Sequence, residues 1–469
     1  MSSESVPPND ADQSEPDAEA SAEEASSGPA APATTELIRD ADPAYALVTQ
    51  LRLYVTAGPD VGQVFVLGPG KIVIGSISGA DVLLHDRTVS RFHAELFLDQ
   101  NRIVLHDLGS RNGTFVDGVP VQTAYLRERA LLTLGHSQLR VGIGPDQARI
   151  QLSTRSEFGL MVGSSIAMRV VFAELERAAQ SDATVLLEGE TGTGKEVAAE
   201  SIHLESKRRR GPFVIMDCSA IPAELVESEL FGHERGAFTG AVTSRKGAFA
   251  AASGGTLFVD EVGELSQELQ PKLLRALERR QIRPVGSDKY QDVDVRVIAA
   301  TNRNLHAEMN ARRFRTDLYY RLAVLRVKLP PLRERREDLP QLVDRILESL
   351  GVDPSAAPFL HDPAFLAELA RQSWSGNVRE LRNHVERCLA FRKPVPHTAA
   401  DEGAPDLPSP SLPFRLARER WNRTLERRYL EALLSEHKGN VSAAARAAGL
   451  GRGYLYRLLW RHGLRDRRD

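Results

Sequence analysis

The stretch TVLLEGETGTGKE, Thr184–Glu196, places an apolar run directly before a glycine-rich turn that ends in Lys-Glu. The turn fits the spacing G-x-x-x-x-G-K, in which glycines let backbone N–H groups surround phosphate oxygens and the next helix points its positive end at them. Lys195 would reach the β- and γ-phosphates, whereas Glu196 replaces the hydroxyl that usually binds magnesium. The alternative is a glycine-rich turn that only begins a helix. The turn residues that we predict to bind a nucleotide are Gly189, Glu190, Thr191, Gly192, Thr193, Gly194, Lys195 and Glu196.

A second motif, GGTLFVDEV at Gly254–Val262, is an apolar strand that ends in two adjacent acids. Phosphoryl transfer needs one group to hold Mg²⁺ and another to polarise the attacking water. Asp260 would bind Mg²⁺ and Glu261 would polarise the water. Taken alone, such a pair is more often a solvated loop, but here it follows a phosphate loop within one pattern of strands and helices. The two motifs together predict an ATPase that uses ATP and Mg²⁺.

Around these motifs, Glu157–Arg392 alternates short apolar strands with amphipathic helices. The strands VLLEG, FVIMD, TLFVDE and VRVIAAT contain few polar residues, which is typical of a parallel sheet covered by helices on both faces. From Leu339 onward the β-rich runs stop and the pattern becomes helical. We therefore expect an α/β ATPase core followed by an α-helical lid.

The segments on either side of this block differ in composition. Residues 1–45 hold few large apolar side chains and are strongly acidic, so we predict that they are disordered. Leu51–Ile143 consists of short β-rich runs separated by Gly, Asn and Asp, which predicts an all-β sandwich. Pro394–Pro413 holds six prolines and is predicted to be a linker. Ser411–Asp469 carries fourteen basic and six acidic residues, a net charge of +8 that favours binding to nucleic acid.

The composition of the whole chain limits the class of protein. Its 469 residues are enough for about three domains, and its 60 basic and 63 acidic side chains nearly cancel. Two cysteines, Cys218 and Cys388, exclude a disulfide scaffold and favour a reducing compartment. No apolar run approaches about eighteen residues, and the N-terminus lacks a signal-peptide pattern. We therefore expect a cytoplasmic protein with no membrane partner.

The block from Phe158 to Phe391 resembles the AAA+ domain of bacterial enhancer-binding proteins, which activate sigma-54 RNA polymerase. A phosphate loop that ends in Glu is typical of this family. The segment FRTDLYYRL resembles the one that supplies two arginines to the ATP of a neighbouring subunit, here Arg315 and Arg321. The alternative for both is an exposed arginine in a surface salt bridge. The resemblance therefore implies a homo-oligomeric ring, a hexamer, with ATP at the subunit interfaces.

The same resemblance implies two nucleotide sensors. Thr301 and Asn302 in IAATN occupy the first sensor, and Arg379 in WSGNVRELRN occupies the second. One position departs from the family: the strand that usually ends in Asn-Cys ends here in Asp217-Cys218, and Asp217 would also lie at the nucleotide. Because two acids near one γ-phosphate repel each other, either Asp217 is protonated or its geometry differs from the family's.

The segment ELFGHERGAFTGA contains the loop that in this family contacts sigma-54. The alternative from the residues alone is a hairpin with Phe238 packed in the core. The residues predicted to contact sigma-54 are Gly236, Ala237, Phe238, Thr239, Gly240 and Ala241.

Lys71–Val121 includes DVLLHDRTVSRFHAEL and HDLGSRNGTFVDG and resembles the forkhead-associated domain, a β-sandwich whose loops bind phosphothreonine. The resemblance implies a partner that is a phosphothreonine-containing protein or a Ser/Thr kinase. The family's phosphate-binding arginine is replaced by Ser76, and His93 is expected to be structural. The loop residues that would bind the phosphopeptide through hydroxyl, amide and cationic donors are Ser90, Arg91, Arg111 and Asn112.

Glu436–Leu464 combines an Ala-rich helix, a Gly-Leu turn and a basic aromatic helix, which is typical of a helix-turn-helix. It resembles the Fis-like DNA-binding end of the same activators and implies binding to upstream enhancer DNA. The alternative is a helical hairpin in which Leu455, Leu458 and Leu459 only fill a core. The residues predicted on or near the recognition face are Arg452, Tyr454, Tyr456 and Arg457.

We therefore predict a multidomain chain that acts on the sigma-54 RNA polymerase holoenzyme. Two other classes remain open: a general unfoldase ring, and a DNA-binding repressor in which ATP only sets the oligomeric state. The predicted domains are a disordered segment at 1–45, a forkhead-associated sandwich at 46–146, an AAA+ core at 157–335, a lid at 336–393, a linker at 394–413 and a helix-turn-helix domain at 414–469.

Overall fold

A computed structural model describes residues 37–39, 42, 44–68, 70–99, 102–238 and 241–395, together with Leu430, Leu433, Val441, Ala445, Leu455 and Leu459. The chain forms two compact units. Unit 1 extends to Gln151 and includes the segment Leu305–Arg313, and unit 2 comprises Leu152–Asn304 and the chain from Phe314 onward. Most of the predicted disordered segment and of the predicted linker lie outside the described residues. Among the helices that are described, none is long and apolar enough to span a bilayer.

Unit 1 is a β-sandwich, as the alternation of short strands predicts. Within the described ranges, one sheet has the strand order β1-β2-β12-β11-β8-β9 with β3 also paired to β2, and the other has the order β10-β7-β6-β4-β5. The strands are β1 Leu37–Arg39, β2 Tyr45–Ala57, β3 Val64–Leu67, β4 Ile72–Gly75, β5 Val82–Leu83, β6 Ala94–Asp99, β7 Arg102–Asp107, β8 Thr114–Val116, β9 Val119–Val121, β10 Thr123–Tyr125, β11 Leu131–Leu134 and β12 Ser137–Gln151. Side chains of both sheets, among them Leu53, Ile74, Leu105 and Leu132, are buried in one core between them.

Strand β1 corrects one sequence prediction. Leu37–Arg39 falls in the segment predicted to be disordered, yet it pairs antiparallel with β2, opposite Ala46–Val48. The long strand β2 offers backbone donors and acceptors beyond the sandwich, and pairing with β1 satisfies them.

Unit 2 contains a parallel sheet of order β16-β19-β22-β15-β23 among the described residues, and the four predicted strands are all in it. Its strands and hairpins are β13 Glu157–Phe158, β14 Met161–Val162, β15 Val185–Glu188, β16 Phe213–Asp217, β17 Gly232–His233, β18 Arg245–Lys246, β19 Thr256–Asp260, β20 Gln281–Ile282, β21 Gln291–Asp292, β22 Arg296–Thr301 and β23 Leu325–Lys328. The helices of the described chain are α1 Ile166–Gln180, α2 Lys195–Leu204, α3 Ala223–Phe231, α4 Ala248–Ala251, α5 Gln270–Arg279, α6 Leu305–Asn310, α7 Thr316–Leu322, α8 Leu339–Ser349, α9 Pro363–Arg371 and α10 Asn377–Phe391. Short 3₁₀ turns occur at Val262–Glu264, Leu332–Glu334, Arg336–Asp338, Pro354–Ala356 and Pro358–His361.

Helix α6 belongs to unit 1, although the sequence analysis placed it in the ATPase core. Its Asn310 side-chain amide donates hydrogen bonds to the carbonyl oxygens of Phe92 and Leu108. The rings of Phe92 and His306 lie 4.7 Å apart, centroid to centroid. These contacts are long-range in sequence, which is why the helical pattern alone did not indicate them.

The register of the parallel sheet brings four polar residues to its carboxyl edge. Asp217 at the end of β16 lies opposite Asp260 at the end of β19, and Glu188 at the end of β15 lies opposite Thr301 at the end of β22. In open parallel sheets this edge is where ligands bind. The sheet therefore collects the predicted sensor and acid residues at one place.

Helices α8, α9 and α10 form the helical lid expected after Leu339. Trp374 is fully buried among them, and its indole N–H donates to the carbonyl oxygen of Leu369 at 2.8 Å. Cys388 of α10 is buried and free, as is Cys218. Burial of one large aromatic ring and an apolar face from each helix holds the lid together.

The six described positions in the C-terminal part are helical and buried. Leu455 and Leu459 are among them, which confirms that these two leucines pack inside. Buried residues four apart define one apolar face of a helix. The predicted DNA-contacting residues Arg452, Tyr454, Tyr456 and Arg457 lie outside the described residues.

Glu174 of α1 leads to a testable pH dependence. Burial raises the pKa of its carboxyl to about 7, and Arg177 and Arg326 offset this only in part. An unfolded Glu titrates near pH ~4.3, so between about pH 4.3 and pH 7 the unfolded chain loses a proton that the folded chain keeps, and stability falls as the pH rises. Glu174→Gln should therefore raise Tm near pH 8, by the equivalent of about 1 kcal/mol or more, and much less near pH 5. Thermal unfolding followed by circular dichroism measures this, and an equal change at both pH values would contradict it.

Candidate functional site

The glycine-rich turn between β15 and α2 has the backbone geometry of a phosphate loop. Gly192 and Gly194 have φ of +80° and +103°, in the left-handed region that glycine adopts without strain. A Cβ on Gly192 would also lie 2.2 Å from the carbonyl oxygen of Gly376. Gly194 caps the N-terminus of α2, so the positive end of that helix faces the loop.

Lys195 is the first residue of α2, and its side chain is only 6% exposed. Its ammonium group donates to the carbonyl oxygens of Gly189 at 3.0 Å and Glu190 at 3.4 Å. It also lies 3.6 Å from Oε1 of Glu261. The cation is therefore fixed between the phosphate loop and the acid pair.

The two acids at the end of β19 are held differently. Asp260 Oδ1 accepts a hydrogen bond from the Glu261 backbone N–H at 2.9 Å, and burial raises the pKa of Asp260. Glu261 has a left-handed backbone, φ +49°, which is uncommon for a residue with a side chain. Its Oε2 accepts from the backbone N–H of Asn302 at 3.0 Å, and the Asn302 amide donates to Thr191 Oγ1 at 3.0 Å. Asn302 thus joins the catalytic candidate Glu261 to the phosphate loop.

The carboxylate of Asp217 is bound by the residues that directly follow it in the chain. Its Oδ1 accepts hydrogen bonds from the backbone N–H and hydroxyl of Ser219, at 2.8 and 2.7 Å, and from the Ala220 N–H at 3.3 Å. Burial acts to raise the pKa of Asp217, but the hydrogen bonds from Ser219 outweigh it and leave the pKa below its usual value. The hydrogen bonds and the lowered pKa favour the ionised form of Asp217.

A cavity of about 900 Å³ collects most of the predicted nucleotide-binding residues. Those that line it are Thr191, Gly192, Thr193, Gly194, Lys195, Glu196, Asp217, Asp260, Glu261, Asn302 and Arg379. This volume is in the range of small-molecule sites. The other predicted nucleotide residues support its walls: the Gly189 N–H donates to the Thr301 carbonyl oxygen at 3.3 Å, and the Glu190 carboxylate binds Arg333 and Asn377.

The two predicted intersubunit arginines are not among the described residues that line this cavity. Arg315 pairs with Asp317, with N···O distances of 3.0 and 2.6 Å, and Arg321 donates to the carbonyl oxygen of Leu277 at 3.2 Å. Both guanidinium groups are thus outside the cavity of their own chain.

Arg335 is a site residue that the sequence analysis missed. It is 2% exposed, lines the cavity, and donates to the Thr193 carbonyl oxygen at 2.8 Å. Burial lowers the pKa of its guanidinium to about 10. In the sequence it is one of several arginines in PPLRERRED, a run that reads as a solvated surface, so no local signal distinguishes it.

The loop at residues 236–241, which is predicted to contact sigma-54 and is called the signature loop below, exposes its aromatic residue. Phe238 is 39% exposed and its ring meets that of His233 at 5.1 Å, so the alternative of a core-packed Phe238 is wrong. The loop is closed by hydrogen bonds from the Gly236 N–H to the Ala241 carbonyl oxygen, 2.8 Å, and from the Ala241 N–H to the Phe238 carbonyl oxygen, 3.0 Å. Ala237 packs against Gly286. Thr239 and Gly240 lie outside the described residues.

In unit 1 the predicted phosphopeptide residues lie on loops that are tied together. The Arg111 backbone N–H donates to Ser90 Oγ at 3.0 Å, and the Asn112 amide donates to the Thr88 carbonyl oxygen at 2.7 Å. Arg111 and Asn112 are exposed. The Arg91 guanidinium reaches the carbonyl oxygen of Met309 at 3.4 Å.

His93 is structural, as predicted. Its Nδ1 accepts from the Ser90 N–H at 3.1 Å and its Nε2 donates to the Gly113 carbonyl oxygen at 3.1 Å. Burial lowers the pKa of this imidazole, which keeps it neutral. The Ser76 hydroxyl donates to the Val89 carbonyl oxygen at 2.9 Å. The Ser76 side chain therefore faces the loop that carries Val89 and Ser90.

Comparison with known families matches four parts of the chain. Residues 161–328 match the Sigma-54 interaction domain, residues 333–400 match an AAA+ ATPase lid domain, and residues 422–459 match a bacterial regulatory protein domain of the Fis family. Residues 54–143 match a domain described as the inner membrane component of T3SS, cytoplasmic domain. These matches confirm the predicted ATPase, lid and helix-turn-helix families.

Among curated proteins, the transcriptional regulatory protein GlrR of Escherichia coli K12 is 47% identical over 290 residues, which are 61% of this chain and 64% of GlrR. The alignment thus spans somewhat less than two thirds of that relative. The transcriptional regulatory protein ZraR of the same strain is 44% identical over 305 residues, 64% of this chain and 68% of ZraR. An FHA domain from a structural and functional analysis of phosphothreonine-dependent FHA domain interactions is 35% identical, covers 21% of this chain and all of its own, and has a TM-score of 0.20.

The match to ZraR covers more than two thirds of that regulator at 44% identity. Residues 161–328, which match the Sigma-54 interaction domain, include the phosphate loop and the acid pair that line the cavity. The chain therefore belongs to the family of bacterial enhancer-binding proteins, the transcriptional regulators that carry a sigma-54 interaction domain.

Proposed function

We propose that this protein is an ATP-hydrolysing transcriptional activator that remodels closed complexes of the sigma-54 RNA polymerase holoenzyme in the cytoplasm. The observation that supports this best is the combination of features within unit 2. Lys195, Asp260 and Glu261 meet at one cavity, as phosphoryl transfer requires, while the signature loop presents the exposed Phe238 to a protein partner. The cavity would hydrolyse ATP, and the exposed loop would transmit the resulting movement to sigma-54.

In the proposed reaction, the backbone N–H groups of the phosphate loop and Lys195 neutralise charge on the β- and γ-phosphates of ATP. Glu261 polarises the attacking water by accepting its hydrogen bond, and the Asn302 N–H holds the Glu261 carboxylate in place. Arg379, at the third position of α10, adds positive charge to the cavity. These groups stabilise the charge that develops on the transferred phosphoryl group.

The carboxylates present fit a bound Mg²⁺. Asp260 offers Oδ2, which makes no hydrogen bond to the described residues, while Oδ1 is engaged by Glu261. A single carboxylate oxygen suits Mg²⁺, which is usually bound through one or two carboxylates together with substrate phosphates. Asp260 would hold Mg²⁺, which when bound would neutralise negative charge on the phosphates of ATP.

We further propose a homo-oligomeric ring, a hexamer, in which Arg315 and Arg321 of one subunit serve the ATP of the next. The helix-turn-helix domain at 414–469 would bind upstream enhancer DNA through Arg452, Tyr454, Tyr456 and Arg457 and so raise the local concentration of subunits. The match to the Fis family over residues 422–459 supports this role.

Transcription in vitro with sigma-54 RNA polymerase tests the proposal. The protein should produce open complexes with ATP and none with a non-hydrolysable analogue. Stimulation of ATP turnover by unrelated unfolded proteins, without open complexes, would favour a general unfoldase. Repression that does not depend on hydrolysis would favour a DNA-binding repressor.

We propose that unit 1 is the signal input and binds a phosphothreonine segment of a partner protein or of a Ser/Thr kinase. The support is local: the Ser90 hydroxyl and the Arg111 and Asn112 loop are held together by hydrogen bonds and lie at one end of the sandwich. Hydroxyl and amide donors can bind phosphate, but less strongly than an arginine does. Affinity should therefore be modest.

Ser76→Arg should strengthen binding of a phosphothreonine peptide by about tenfold or more, because a charge-assisted hydrogen bond replaces a neutral one. Ser76→Gln, which adds a polar stem without charge, is the matched control and should change affinity little. Titration calorimetry of the full chain with phosphorylated and unphosphorylated peptides measures both. Equal affinity for the two peptide forms in every variant would mean that unit 1 is a packing or docking module.

A further inference from the structure

The carboxylate of Glu190 in the phosphate loop is bound by residues from later in the chain. Arg333 Nη2 and Nη1 donate to Glu190 Oε1 and Oε2 at 2.7 and 2.9 Å, a bidentate ion pair. The Asn377 amide donates to Glu190 Oε2 at 3.1 Å. The hydrogen bonds from Arg333 hold the pKa of Glu190 below its usual value, so the carboxylate is charged at neutral pH. Both carboxylate oxygens of Glu190 are therefore bound by groups of the protein itself.

Asn377, which also donates a hydrogen bond to Glu190, is the first residue of α10. It is fully buried and has a left-handed backbone, φ +55°. Its amide group also donates to the Thr191 carbonyl oxygen at 3.1 Å, while its Oδ1 accepts from the Leu332 N–H at 2.8 Å. A buried amide with both ends satisfied and a strained backbone persists only where its surroundings fix it.

Backbone contacts reinforce the junction. The Val378 N–H donates to the Gly192 carbonyl oxygen at 2.9 Å. Gly192 and Gly376 pack without room for a side chain, since a Cβ on Gly192 would clash with the Gly376 carbonyl oxygen. The backbones of the phosphate loop and of the start of α10 are therefore in direct contact.

Two residues beyond Asn377, Arg379 lines the cavity that also contains Gly192 and Lys195. Among the described residues, Arg379 forms no hydrogen bond and no ion pair of its own. Its position over the cavity is thus set by the start of α10, and the start of α10 is set by its contacts with the phosphate loop.

We propose that Glu190 is a positioning residue: with Arg333 and Asn377 it forms a latch that fixes the lid helix α10 on the phosphate loop and so places Arg379 at the nucleotide. This inference rests on the proposed ATP site and deepens it. Glu190 acts on the nucleotide through Arg379, and its own side chain does not touch ATP.

A double-mutant cycle between Glu190 and Arg379 in the full-length protein tests the latch. Glu190→Gln keeps the size of the side chain but turns an N–H donor toward Arg333 or Asn377, which are donors themselves, so the latch opens. Binding of a fluorescent ATP analogue gives Kd, and phosphate release gives kcat and KM. We expect each single variant to weaken binding by about tenfold, and the double variant to be no more than about twofold worse than the weaker single variant.

Glu205→Gln is the matched control, because Glu205 also pairs with an arginine, Arg155, at 3.0 Å but lies outside the cavity. It should bind the analogue as the wild type does. Arg333→Gln opens the same latch from the other side and should reproduce the cycle with Arg379→Ala, which keeps the test available if Glu190→Gln folds poorly.

Losses that multiply in the double variant would overturn the inference, because they would mean that Glu190 and Arg379 act on ATP independently. Wild-type affinity in Glu190→Gln would overturn it as well. Failure of the wild type itself to bind the analogue would overturn the proposed ATP site, and the latch with it, and is distinguished by the wild-type titration alone.

Discussion

Glu261→Gln should bind ATP about as well as the wild type and hydrolyse it at least ~100-fold more slowly. The amide keeps the size of the side chain, and its oxygen can still accept the Asn302 N–H, which lies 3.0 Å from Glu261 Oε2. What is lost is the charge that polarises the attacking water. Binding of a fluorescent ATP analogue and release of inorganic phosphate measure the two properties separately.

Two further variants serve as comparisons for Glu261→Gln. Lys195→Ala removes the buried cation from the phosphate loop and should abolish tight binding, with a loss of at least ~100-fold. Glu268→Gln changes an exposed acid a few residues beyond Glu261 and should leave both measurements near wild type. Normal turnover by Glu261→Gln would mean that another group activates the water.

Phe238→Ala should leave ATP hydrolysis intact and reduce open-complex formation by sigma-54 RNA polymerase about 30-fold or more. The ring is 39% exposed and contacts His233, so its removal creates no large cavity in unit 2. An exposed aromatic side chain on a loop is an efficient anchor for a protein partner. Permanganate footprinting of the promoter, run beside an ATPase assay, separates coupling from catalysis.

Phe391→Ala is the matched control for loss of an exposed phenylalanine, since Phe391 is 64% exposed at the end of α10. It should form open complexes normally. Thr239→Ala tests the same loop at a second position and should behave like Phe238→Ala. Wild-type open-complex formation by both loop variants would exclude the loop as the coupling surface.

The nucleotide site could be predicted largely from sequence because its parts are local. A strand followed by a glycine-rich turn fixes where phosphate binds, and acids that end parallel strands must lie at one edge of the sheet. The register of Asp217 opposite Asp260 follows from that rule. The β-sandwich of unit 1 was predictable for the same reason, since alternation and turn residues specify strands within a few positions.

The contacts that assemble the site from distant parts could not be predicted. Glu190 and Asn377 are separated by 187 positions, and nothing in either local pattern shows that one accepts a hydrogen bond from the other. Arg335 lies in a run of charge that is usually solvated, yet it is buried against the loop. Such pairings depend on how the lid packs on the phosphate loop. The periodicity of apolar residues along the sequence does not predict that packing.

The hydrogen bonds of Asp217 also could not be predicted from the family motif. The sequence identified the substitution but left open whether Asp217 is protonated or differs in its geometry from the family's. Ser219, two residues later, donates from its hydroxyl and its backbone N–H to the Asp217 carboxylate, which favours the ionised form. An Asp side chain that accepts hydrogen bonds from the residue two positions later forms a local turn. Comparison with the family motif alone does not indicate this turn.

Among the described residues, Arg315 and Arg321 do not line the cavity of their own chain. This arrangement has consequences for how mutant and wild-type alleles behave together. If neighbours supply these arginines, the output of the regulated promoter would rise more steeply than linearly with gene dosage. A defective allele expressed beside a sound one would spoil mixed assemblies and so be dominant. The same arrangement would let two differently damaged alleles complement each other, one lending its arginines and the other its phosphate loop.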